Sequence, residues 1–225
     1  MCFSATASFC AGGVLAGVGV LALSKTRHPH ERFFAAIPLL FAVQQCCEGW
    51  LWLVSMGPER SALEVYPTYL FLLFAQVLWP MWIPYALLAV EADKRRHGIL
   101  LGLCVMGTEL SFYLGSCLLI YGARADIIGH HIHYTCPFPP AWSLVSSLVY
   151  GVATVVPALI SSVSRMWVLG TAIAASYVMT AIYYDFYTIS VWCYFAAVLS
   201  VIVVWILVVM HRTVPVWQAP PVAVR

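Results

Sequence analysis

The chain has 225 residues, of which 63% are hydrophobic and 9% charged, and its mean hydropathy is +0.90. Soluble domains carry about a quarter charged residues, so this composition excludes an ordinary soluble fold and makes lipid the expected surrounding. The formal charge of +2 comes without any basic stripe interleaved with aromatics, which leaves no footprint for nucleic acid.

Seven apolar stretches are predicted to be membrane-spanning helices, at 7–24, 33–55, 67–90, 98–121, 141–161, 166–184 and 189–210. Each is near the ~20 residues that cross ~30 Å of hydrocarbon. The expected fold is therefore an all-α membrane protein, a seven-transmembrane helical bundle. Span one has no cationic leader and ends at Lys25 and Arg27 rather than at a small-residue cleavage site, so it is expected to stay as a helix. Nine Lys and Arg fall on one side of the predicted layout, and only Arg60 and Arg124 on the other. That bias puts the N-terminus outside and the C-terminus in the cytoplasm, as in a multi-pass protein of a cell or inner membrane. Residues 1–212 read as one domain with an outer lid at 122–140, and the Pro-bearing tail at 213–225 reads as disordered.

Within the spans, Gly13 and Gly17 give a small-xxx-small spacing suited to close helix packing. Pro80, Pro84 and Pro157 are expected to kink their helices. An ionisable side chain in hydrocarbon is costly unless it finds a cavity or a partner, so the intramembrane acids are the first functional candidates. Glu48 is the foremost. It lies about 12 Å below the outer end of span two at 1.5 Å per residue, with Gln44 and Gln45 one turn away and Trp52 one turn further out. Glu109 is a second candidate, in mid-span. Ser143, Ser147, Tyr150 and Thr154 recur at helical spacing on one face of span five, Ser176 and Thr180 do the same in span six, and Gln76 adds an amide in span three. Together these predict a polar pocket that opens outward.

The lid carries His130, His131 and His133 within four positions. Imidazoles with a carboxylate such as Glu48 or Asp185 can hold a zinc ion with one position open for water. Of the eight cysteines, Cys2 and Cys136 fall where an oxidising compartment would permit disulfides. Removal of Met1 would set a free amine beside the Cys2 thiol, the pairing of an N-terminal nucleophile.

The opening MCFSATASF, the Gly-rich first span and QQCCEGWLW at 44–52 together resemble a family of small polytopic membrane proteins of unassigned function. The resemblance implies that Cys2, Ser4, Gln45, Glu48 and Trp50 match the family pattern, and it brings no reaction. No lysine follows Lys94, which disfavours a retinal protein, and spans six and seven lack the histidines that a ceramidase-like hydrolase would use. Three functions stay open. The first is a zinc-assisted hydrolase of a lipid or amphiphile, with His130, His131, His133 and Asp185 as metal ligands and Glu48 or Cys2 as the catalytic group. The second is a non-catalytic transporter or sensor that binds an ion or small molecule through Gln44, Gln45, Trp52, Gln76, Glu109, Ser147 and Tyr150. The third is a structural subunit.

Overall fold

The computed structural model describes residues 4–55 and 62–213, and the side chains at 140–143, 185, 212 and 213 lie outside that description. Among those residues the regular structure is helical apart from one hairpin. Helix α1 (Ala5–Ser24) starts where the Ser4 hydroxyl accepts the Ala7 N–H. A short α2 (Glu31–Ala35) runs into α3 (Ile37–Ser55), and the step between them at Ala36 precedes Pro38, which has no N–H for the Phe34 carbonyl. Next come α4 (Val65–Leu72), a π-helical segment (Leu73–Leu78) and α5 (Trp79–Val90), then the longest helix, α6 (Lys94–Tyr121). Strands β1 (Arg124–Ile128) and β2 (His131–Thr135) follow, then α7 (Pro140–Ile160), α8 (Met166–Tyr183), α9 (Thr188–Leu199) and α10 (Ile202–Thr213). Six helical stretches are long and apolar enough to cross a membrane: Ala5–Ser24, Glu31–Ser55, Ala62–Val90, Lys94–Tyr121, Met166–Tyr183 and Thr188–His211. Leu144–Ile160 is a shorter apolar helix.

The lid is a two-stranded antiparallel hairpin, with Ile128 opposite His131 and a two-residue turn whose first member, Gly129, has φ +62°. Glycine suits that left-handed position and hence the primed turns that close hairpins. Strand alternation sends Ile132 and Tyr134 inward, where Tyr134 stacks on Phe71 with ring centroids 4.7 Å apart. This hairpin roofs a core that includes Leu51, Trp52, Phe71 and Leu72, while the larger core around Phe41, Trp79, Leu87 and Ile206 fills the rest of the bundle.

Close approach depends on glycines other than the pair expected. A Cβ at Gly13 or Gly17 would meet nothing within 4 Å, so the Gly13–Gly17 spacing does not pack α1 on α3. That contact runs through Gly12 and Gly19, two turns apart, where a Cβ would fall 2.9 Å from Cys46 Sγ and 2.8 Å from Leu39. Between α5 and α6 the approach is closer still: a Cβ on Gly107 would lie 2.0 Å from the Pro80 carbonyl oxygen.

At the end opposite the hairpin, two acids tie loops together. The Glu31 carboxylate accepts the Arg27 N–H at 2.6 Å and lies 3.0 Å from His211 Nε2 on the last helix. Glu91 accepts the N–H groups of Asp93 at 2.9 Å and Ser162 at 2.8 Å, and the hydroxyls of Ser161 and Ser162.

Candidate functional site

Helix α3 presents its polar residues to the interior. Gln44, Gln45 and Glu48 are all 0% exposed and Trp52 is 4% exposed. The Gln44 carbonyl oxygen accepts the Trp79 indole N–H at 2.8 Å, and Ser190 on α9 donates to Glu48 Oε1 at 2.7 Å. Gln45 is different. Among the described residues neither its amide nitrogen nor its oxygen has a hydrogen-bond partner, and the nearby helix α1 buries the Ser8 hydroxyl with none either. Leaving such groups unpaired costs about 1–3 kcal/mol each.

A separate cavity of about 280 Å³ lies below the segment that follows the hairpin. Gln76 from the π-helical segment, Ser147 and Tyr150 from α7, Tyr177 from α8 and Trp192 from α9 line it. Three of the predicted binding residues, Gln76, Ser147 and Tyr150, are thus brought to one space, whereas Gln44, Gln45 and Trp52 are not among its walls. No charged side chain is among its described lining. Trp192 stands edge-on to Tyr177 at 4.9 Å and to Tyr150 at 5.6 Å, and its buried indole N–H has no acceptor among the described residues.

The position of Tyr150 follows from the backbone opposite. In the π-helical segment the Trp79 N–H reaches back five residues to Phe74, and Pro80 has no N–H at all. Neither can serve the Ala75 carbonyl. The Tyr150 hydroxyl donates to it instead. Tyr150, Trp192 and Cys193 also wall a second, apolar cavity of about 40 Å³ deeper in the bundle, bounded by residues such as Ile83, Leu169 and Ala196.

The hairpin histidines do not gather with acids into a ligand set. Among the described residues, no group of three His, Cys, Asp or Glu is placed to hold a metal ion. His130 is exposed in the turn, His131 stacks on Tyr187 at 4.6 Å, and His133 lies 6.4 Å from Phe186 and from Tyr187. Burial lowers the His131 pKa and favours its neutral ring. The Asp185 side chain and the whole of Cys2 lie outside the described residues, as do Ser143 beyond its backbone and the tail from 214. All seven described cysteines are free thiols. Burial pushes Cys136 up to about 11, which leaves it a poor nucleophile at neutral pH.

Glu109 corrects the expectation of a pocket residue. It is exposed on the outer face of α6 and is not among the walls of either cavity. The residues around it on α6 did not define one polar face, so nothing in the sequence aimed it inward.

Residues 1–219 match a family of unknown function, DUF6629. The chain belongs to that family. No curated protein and no solved structure matches it. In this DUF6629 member the sequence reading passed over Trp192, a wall of both cavities, because a lone tryptophan in an apolar helix carries no signal of its own. It also passed over Glu31 and Glu91, which sit at helix ends where acids are usually solvated.

Proposed function

We propose that this protein is a non-catalytic membrane receptor or carrier for an uncharged amphiphile, held in the cavity between the π-helical segment, α7, α8 and α9. In this reading the chain spans a cell or inner membrane seven times, with the hairpin outside and the C-terminus in the cytoplasm. Leu144–Ile160 and the helical turns before it supply the additional span. The cationic loops support the orientation, since the Glu31–His211 and Glu91–Ser162 contacts draw those connections to one end of the bundle.

The cavity and its Trp192 N–H carry the functional proposal. Hydroxyl, amide and aromatic groups without a charge suit a neutral ligand, since an ion would meet no countercharge there. The buried indole N–H calls for an acceptor such as a hydroxyl or carbonyl oxygen on that ligand. The adjoining apolar cavity, which shares Tyr150, Trp192 and Cys193, suits a short aliphatic tail.

Thermal melting of detergent-purified protein with 1,2-octanediol, octanoate and octylammonium tests this. The diol is expected to raise the Tm of wild type and to lose at least tenfold in affinity for Trp192→Leu, with little response to either ion. Equal stabilisation by all three compounds, or none by the diol, would sink the proposal.

A further inference from the structure

The position of Glu109 needs a different explanation, one that rests on the membrane-spanning reading. Gly102, Val105, Glu109, Phe112, Ser116 and Leu119 are all exposed, and they follow one another at alternating steps of three and four. Gly98 extends the series toward the start of α6. This is the spacing of a coiled-coil seam, in which one stripe of a helix stays turned toward a partner over several turns. A Cβ at Gly98 or Gly102 would meet nothing within 4 Å, so this end of the seam is open to another backbone.

At 1.5 Å per residue, Glu109 lies about 22 Å from Lys94 and about 18 Å from Tyr121, close to the middle of the span. Ser116 and Thr108 bond the carbonyls of Phe112 and Cys104 one turn back and need nothing further. Among the described residues, Glu109 has no hydrogen bond or ion pair within its own chain. An acid at that depth cannot be left facing acyl chains.

We infer that α6 is the interface with a second copy of this chain, paired in parallel about a twofold axis along the seam. Two arguments select a second copy. The same cationic loops insert every copy in one orientation, so two α6 helices meet in parallel. On a twofold axis each seam residue meets its own counterpart. Glycine then faces glycine, which permits close approach, and Glu109 faces Glu109. Carboxyl groups can hydrogen-bond one another across such an axis, so this residue can complement itself, as a lone lysine or arginine would not.

Single cysteines in a cysteine-free background, oxidised in native membranes, test the seam. Gly102→Cys, Val105→Cys and Phe112→Cys are expected to give covalent dimers, and Leu103→Cys and Tyr121→Cys, on the other side of the helix, at least tenfold less. Energy transfer between differently labelled wild-type copies, reconstituted at low density, gives a reading that needs no cysteine-free protein. It is expected to persist in Glu109→Gln, whose amide keeps both donor and acceptor, and to fall at least tenfold in Glu109→Leu. Cross-linking without the three-four rhythm, a cross-linked product of another mass, or energy transfer unchanged by Glu109→Leu would overturn the inference. Carbonate extraction separates the two failures: a chain released by alkaline carbonate defeats the membrane reading itself, while one that stays in the bilayer as a monomer defeats only the pairing.

Discussion

Tyr150 completes the hydrogen bonding of Ala75, 75 positions earlier in the chain. The hydroxyl replaces the backbone donor that Pro80 lacks, so a side chain that walls the cavity also satisfies the π-helical segment leading into α5. Tyr150→Phe should leave the carbonyl unpaired at a cost of about 1–3 kcal/mol. In a Pro80→Ala background, where a backbone N–H is restored, the same substitution should cost much less. Thermal melting of the four proteins of this cycle measures the coupling, and purely additive effects would show that the two are independent.

The contact between α5 and α6 makes a sharp comparison of glycines. Gly107→Ala drives a methyl into the Pro80 carbonyl and should destabilise by at least about 1–3 kcal/mol. Gly151→Ala adds its methyl to open space on a helix and should be neutral or stabilising by up to about 1 kcal/mol. Equal melting temperatures for the two variants would contradict the packing described.

Gln45 buries an amide that has no partner among the described residues. Gln45→Leu keeps the bulk and removes both unpaired atoms, so its melting temperature in detergent should equal or exceed that of wild type. A drop of several degrees would mean that the amide holds something in solution.

Glu91 sets a pH dependence at the end of the bundle opposite the hairpin. Burial alone would raise its pKa, but the hydrogen bonds from Ser162, Asp93 and Ser161 outweigh burial and hold the carboxyl below 4.5. The folded state therefore favours the carboxylate. The stability it contributes is full above the unfolded pKa near 4.5 and is lost as pH falls through the lower folded value. Between pH 6 and pH 3, wild type should lose more thermal stability than Glu91→Gln, as read by melting at each pH; parallel curves would remove Glu91 from the account.

Orientation is testable in intact cells. With an impermeant maleimide, a cysteine placed at Gly129 should be labelled, whereas one at Ala92 should react only after the membrane is opened. The reverse pattern would invert the topology.

The helices were legible because their boundaries are marked by composition: the span expected at 166–184 is the helix Met166–Tyr183, and that at 141–161 is Pro140–Ile160. The stripe Ser147–Tyr150 was legible for the same reason, since a polar face on an apolar helix has a period. Which glycines pack was not. A GxxxG spacing states that two small residues share a face, and the neighbour of that face is decided by the fold, here in favour of Gly12 and Gly19. The hairpin did carry a signal: His131 and His133 alternate with Ile132 and Tyr134 after a glycine, the period of a strand, but three imidazoles drew the reading toward ligand chemistry instead. Glu109 failed for a physical reason of its own, since cost in hydrocarbon tells that an acid needs company but not on which side of the helix.

Glu31 and His211 are 180 positions apart. At roughly 5–20 residues per second, a ribosome needs on the order of ten to forty seconds to make that interval. The other partners of the carboxylate, the N–H groups of Arg27 and His28, lie in its own loop. The imidazole is thus made long after its partner, so this contact cannot form until the helices between them have been synthesised.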